Sequence, residues 1–398
     1  MSTLSTKRNP FNPGSGVPPP YLAGRNSHLE TFARMLSSIE DGHIENLILY
    51  GLRGTGKTVL MEEFNKICIA NNFLPIKRLQ FSRKYCDPSE FAKALKYDVK
   101  TAVETFSKLR WVKGKITAAI SYIKPKEVGV PDLFYYQPSY SSSAHVPFED
   151  HLKEYLSKNW RVFENSRYKG VIFLLDEFHT VVDVQRDHTY VLSDFLGALN
   201  DIQKDGCKYF AVLSGLPNLQ LNVKKARSYS ERMYRSMEAG NLGEKDARLA
   251  IAEPLKKSTY KFETALVNEL INETGQYPYF IQFYCKEVIN NVNKTNISLE
   301  DYRRIHPIII KQLDDDFFNP RIELLSDEER RVIFAMAEIS SRDMLFSAIQ
   351  KKTKMKRYTL SKYLERLEEK GLVYNYKRGI YRFSVPLLRE FLRRKLSM

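Results

Sequence analysis

The run Asn46-Leu-Ile-Leu-Tyr50 passes directly into Gly51-Leu-Arg-Gly54-Thr-Gly56-Lys57-Thr58, and a helical pattern follows through Met61, Phe64, Ile67 and Cys68. A buried strand, a glycine loop and a helix in that order leave few folds open. Glycines let the backbone bend until its N–H groups point inward, and the helix N-terminus beneath adds partial positive charge, so the loop is an anion cradle. Its spacing fits G-x-x-x-x-G-K-[ST]. Lys57 then reaches the outer phosphates of a bound nucleotide, and the Thr58 hydroxyl ligates Mg²⁺. The expected ligands are ATP and Mg²⁺, with Gly51, Arg53, Gly54, Thr55, Gly56, Lys57 and Thr58 as binding residues.

A second apolar run, Val171 to Leu175, delivers Asp176 and Glu177 at its end, where open α/β sheets bind ligands. Asp176 is expected to hold Mg²⁺ with Thr58. Glu177 is placed to orient and polarise an attacking water, which makes hydrolysis of ATP to ADP and phosphate the expected activity. His179 reads as a packing residue, and the remaining histidines show no metal-ligand spacing. Ser214, at the end of the apolar run Tyr209 to Leu213, reads either as a turn residue or as a nucleotide-sensing one. The basic segment Lys224 to Arg235 supplies arginines for a neighbouring subunit's γ-phosphate, or only a solvated surface.

Strands at Asn46–Tyr50, Leu74–Phe81, Val171–Leu175 and Tyr209–Leu213 alternate with helical patterns, the signature of a parallel sheet. After Pro217 the pattern is helical to about Leu313. From Ser326 three helices are predicted, near Ser326–Ile339, Arg342–Thr353 and Thr359–Lys370. A hairpin around Lys377-Arg378-Gly379 closes them, the outline of a winged helix-turn-helix. Residues 1–20 read as an extended arm, 21–235 as the α/β domain with an insertion around 88–147, 236–320 as a helical lid, and 321–398 as the winged helix.

The formal net charge is +15, which favours a polyanionic partner. From Arg321 to Met398 there are 19 Lys+Arg and 10 Asp+Glu, so 19 − 10 = +9 of that charge sits in this stretch. Lys354, Lys356, Arg357, Lys362, Lys377 and Arg378 are the candidate DNA contacts, while Glu365, Glu368 and Glu369 on the same helix oppose a uniformly basic face. A protein-docking winged helix is the alternative. No apolar run approaches the roughly 20 residues of a membrane span, and the N-terminus lacks a secretory signal, so the expected compartment is the cytoplasm. Four scattered cysteines read as idle buried thiols.

On these motifs the chain resembles the AAA+ ATPases of the archaeal and bacterial group related to origin-recognition replication initiators and STAND signalling ATPases. The resemblance implies an α/β AAA+ core with a helical lid and winged helix. Gly24-Arg25 looks like the family's N-terminal box beside the adenine. Ser214 looks like its sensor 1, Arg232 like its arginine finger, and Pro278 lies in its lid motif. The Gly275–Phe280 stretch lacks the arginine that replication initiators carry there. Homo-oligomers in the ATP state are implied, because such arginines act between subunits. Two functions fit: an ATPase switch acting on DNA in replication, mobile-element or defence settings, or a nucleotide-gated signalling protein with slow hydrolysis that docks a protein partner.

Overall fold

Strands that are apolar at nearly every position need cover on both faces. In the computed structural model, which describes residues 9–397 apart from 15, 79, 118–146 and 165, they receive it. Strands β1 (Asn46–Tyr50), β2 (Leu74–Arg78), β3 (Val171–Leu175), β4 (Tyr209–Gly215) and β5 (Tyr234–Glu238) form one parallel sheet in the order β2-β3-β4-β1-β5. Successive side chains alternate between the faces. Ile172 and Leu174 of β3 join Phe32, Leu36, Leu60 and Phe64 from α1 (Asn26–Glu40) and α2 (Lys57–Ala70). Phe173 and Leu175 join the opposite core, built with α3 (Pro88–Thr117), α4 (Phe148–Glu164) and α5 (Val191–Lys204).

Strand β5 corrects the expectation of continuous helix after Pro217. Only Tyr234 of its five residues is buried, so the segment carries almost no apolar signal; pairing with β1 alone makes it a strand. The short helix α6 (Asn218–Ala226) precedes it. The first part of the expected insertion is α3, anchored by Phe91, Ala92, Leu95 and Val99; residues 118–146, with the Tyr/Ser-rich stretch, lie outside the described residues.

Helices α7 (Glu244–Lys256), α8 (Thr264–Thr274), α9 (Pro278–Asn291) and α10 (Leu299–Leu313) follow, with a small parallel pair, β6 (Lys261–Phe262) and β7 (Asn296–Ile297). A π turn at Asp314–Phe318 leads into α11 (Asn319–Glu323). Then come α12 (Asp327–Ala337), β8 (Met344–Leu345), α13 (Phe346–Thr353), α14 (Arg357–Glu369), β9 (Val373–Lys377), β10 (Ile380–Phe383) and α15 (Leu388–Leu396). The second of the three predicted C-terminal helices starts later than expected, because β8 pairs with β10. Ser326 caps α12 in a reciprocal arrangement with Glu329.

Buried residues from Leu242 to Leu392 form a single hydrophobic cluster. Phe318 stacks on Phe391 with ring centroids 4.9 Å apart, joining the π turn to α15. Against the sheet this second body makes polar contacts. Arg83, just after β2, pairs with Glu365 at 2.7 Å and with Glu369, both on α14. The acidic half of α14 thus faces the sheet's body, and the basic half does not share that task. No helix among the described residues is long and apolar enough to cross a membrane.

Phe318→Ala is expected to lower stability by about 3–5 kcal/mol, from lost burial and the cavity left behind. Chemical denaturation of the variant against wild type measures it.

Candidate functional site

The chain turns through Gly51 to Gly56 between β1 and α2. Gly54 and Gly56 hold φ of 86° and 90°, where a Cβ is disfavoured, so the loop needs glycine at both. Lys57 is buried, and its ammonium donates to the carbonyls of Gly51 at 3.0 Å and Leu52 at 2.8 Å. Burial pushes its pKa down, against the pull of Glu177 and Asp176.

Strand β4 lies between β1 and β3, so three neighbouring strand ends converge. Asp176, 1% exposed, accepts from Thr58 Oγ1 at 2.7 Å on Oδ2 and from Ser214 Oγ at 2.6 Å on Oδ1. Of the two readings of Ser214, the turn residue is set aside: it sits inside β4, fully buried and bonded to Asp176. Glu177 has a left-handed backbone, φ 55°, and its carboxylate lies 3.7 Å from Arg53 Nη2 and 3.9 Å from His179 Nε2. Burial, reinforced by Lys57 and Arg53, depresses the His179 pKa to about 3. The ring is therefore neutral near pH 7 and cannot serve as a cationic acid there.

A cavity of about 390 Å³ opens over the loop. Thr55 to Thr58, Arg53, Glu177 and Pro278 line it. The residues before α1 form another wall, including Asn12, Val17, Tyr21 and Leu22. The described residues of this segment form no helix or strand, yet it is fixed at both ends. Phe11 is 3% exposed and stacks on Phe262 with centroids 6.4 Å apart, while Asn9 Nδ2 donates to the Lys286 carbonyl and Asn290 Oδ1, both at 2.9 Å. At the other end Arg25, buried, donates to the carbonyls of Thr55 at 3.0 Å and Gly240 at 2.6 Å, clamping the glycine loop to the exit of β5. Arg25 also lines the cavity; Gly24 precedes it with φ 65°. A second, more open depression of about 480 Å³ lies by Glu273, Tyr302 and His306. Glu273 is already bonded there by the Tyr302 hydroxyl and His306.

The whole-chain fold is similar to that of a Walker-type ATPase of Pyrococcus abyssi, at 13% identity and a TM-score of 0.53, covering 94% of this chain and 96% of that one. It is likewise similar to the ADP form of the ORC2 protein of Aeropyrum pernix, at 12% identity and a TM-score of 0.50, over 99% of both chains. The chain has the AAA+ ATPase fold. Residues 315–392 match a family described as a domain of unknown function (DUF8462). No curated protein matches the chain in sequence.

Within this AAA+ fold the glycine loop, Asp176, Glu177, Ser214 and Pro278 are brought together, and Arg232 is not. Arg232 is exposed two residues before β5, whose Tyr234 pairs with Asn46 at the start of β1, the opposite end from the loop. Lys354, Lys356, Arg357, Lys362, Lys377 and Arg378 are all exposed, the first two between α13 and α14, the next two in the N-terminal half of α14 and the last two at the β9–β10 turn. None of the six forms an ion pair among the described residues, whereas Lys352, Lys370 and Arg382 pair with Glu338, Glu329 and Asp343. Sequence reasoning missed the cavity wall from residues 12–22, and it missed Gln282 and Arg321, which also line it. No local pattern marks them; the fold alone gathers them.

The depressed His179 gives a pH test. Its neutral form is favoured by folding, so as pH falls the unfolded chain takes up the proton first. The stability it contributes is full above about pH 6.5 and is lost toward pH 3. His179→Gln is expected to remove about 2 kcal/mol of the loss between about pH 7 and about pH 5. Denaturation at the two pH values, variant against wild type, measures the difference.

Proposed function

We propose that the chain is an ATP-binding and ATP-hydrolysing AAA+ switch that works in the cytoplasm and acts on, or is regulated by, DNA. The observation that carries the reading is buried Asp176, accepting from Ser214 and from Thr58, which with Lys57 and Glu177 lines the cavity. Hard oxygen donors at Thr58 and Asp176 suit Mg²⁺, which when bound would neutralise charge on the phosphates. Lys57 exchanges its loop carbonyls for phosphate oxygens, a stronger charge-assisted bond. Glu177 accepts the proton of the attacking water. Ser214, bonded to Asp176, reports the occupancy of that corner to β4. Gly24 and Arg25 support the base side of the cavity, the latter by fixing the loop.

The domains follow the same division, an arm over 1–20, an α/β core from 21, a lid to 320 and a winged helix over 321–398, except that the core runs past 235 to Glu238, where β5 ends. Six exposed cations that form no ion pair among the described residues, and Tyr358, 82% exposed, favour nucleic acid as the winged helix's ligand. Arg232 faces away from its own cavity, so its finger role requires a neighbouring subunit in an ATP-bound homo-oligomer. The docking of Glu365 and Glu369 on Arg83 favours a second reading. In it, nucleotide gates the release of the winged helix toward a protein partner.

Lys57→Ala is expected to abolish ATP binding, and Glu177→Gln to retain binding while turnover falls at least about 100-fold. Steady-state ATPase rates and equilibrium titration separate the two; equal turnover in wild type and Glu177→Gln removes the hydrolytic half of the reading. Charge reversal at Lys356 and Arg357 is expected to weaken DNA binding and flatten its salt dependence by about two counterions. Unchanged binding and slope would leave the protein-docking reading in its place.

A further inference from the structure

Arg321 belongs to neither the glycine loop nor the sheet. It stands in α11, just after the π turn, yet it lines the same cavity as Arg53, Lys57 and Glu177. Its charge is poorly served there. Burial pushes its pKa down and the nearby Arg53 pushes it further, with only Tyr279 opposing. Its contacts are the Phe317 carbonyl, to which Nη1 donates, and the Phe317 ring, 3.8 Å from Cζ to centroid. It forms no ion pair with any carboxylate among the described residues. Asp316 also lines the cavity, but its Oδ2 accepts from Gln312 Nε2 at 2.6 Å. Across the same cavity Gln282 is 7% exposed and its Oε1 has no hydrogen-bond partner among the described residues.

Arg53 has the Glu177 carboxylate 3.7 Å away, whereas no carboxylate among the described residues pairs with Arg321, and a partly desolvated cation costs free energy unless an anion meets it. A planar guanidinium suits phosphate oxygens, which it binds bidentately. We propose that Arg321 binds the phosphates of the nucleotide, so that the polyphosphate bridges the glycine loop and the segment leading into the C-terminal helices. This rests on the nucleotide reading above. Arg321 lies three residues from Phe318, whose ring stacks on Phe391. A phosphate held by Arg321 is therefore tied to the core shared by α10, the π turn and α15.

The test is ATP·Mg²⁺ titration and thermal unfolding of the full chain as wild type, Lys57→Ala, Arg321→Ala and Arg321→Lys. The proposal expects Arg321→Ala to weaken ATP binding about 10- to 100-fold, the range for one lost charge-assisted bond. It expects a matching loss of the ATP-induced melting shift, with Arg321→Lys recovering part of both. If Arg321 only staples the π turn, Arg321→Ala lowers the nucleotide-free melting point and leaves the ATP dissociation constant within about twofold of wild type, which overturns the proposal. If wild type binds ATP no better than Lys57→Ala, the nucleotide reading fails instead.

Discussion

The Asp176 carboxylate accepts from Thr58 and from Ser214, and through those two bonds it ties the start of α2 and the end of β4 to the end of β3. The arrangement is possible because the strands are parallel and β4 sits between β1 and β3, placing all three C-terminal ends on one edge. A carboxylate 1% exposed is stable only with its lone pairs satisfied, and these hydroxyls, with the Glu177 N–H at 2.9 Å, do that. Glu177 follows Asp176 directly, has a left-handed backbone and lines the cavity. The glycine loop supplies the donors and this corner supplies the oxygens.

The cavity also marks a boundary. One hydrophobic body is the sheet with α1 to α5 on its faces; the other runs from Leu242 to Leu392 as one cluster. Between them lie polar contacts and close backbone approaches, together with Leu52 of the glycine loop packed against the second cluster. Arg83 meets Glu365 and Glu369, and the Tyr277 hydroxyl donates to the Arg53 carbonyl. At Gly371 an added methyl group would run into the Arg53 guanidinium. Exposed ion pairs are each worth only about 0–1 kcal/mol, so Arg83 with Glu365 and Glu369 adds little to what holds this boundary. The segment before α1 spans it, with Phe11 in the second body and Arg25 on the glycine loop.

Much of this is readable without a structure, for a physical reason. Strands β1, β3 and β4 are buried on both faces, so their sequences are apolar at nearly every position, and the glycine loop and Asp176-Glu177 follow β1 and β3 directly. Strand β5 is held by pairing at the sheet edge, and Arg235, Ser236 and Glu238 give no sign of it. Phe11 sits in a proline-rich stretch with no period, so its burial depends wholly on Phe262 and the helices around it. Glu365 and Glu369 read as obstacles to a DNA-binding helix until Arg83, far away in sequence, is seen to take them up. Arg321 lies among charged residues typical of a solvated helix, and only the turn at Asp314–Phe318 carries it to the cavity.

A single nucleotide lying across the boundary between the two bodies is the centre of the account. Hydrogen exchange of the full chain with and without ATP·Mg²⁺ tests it most directly. Joint protection of residues 51–58 and 314–323 at the same nucleotide concentration is the predicted result; protection of the glycine loop alone, with 314–323 exchanging as before, would contradict it.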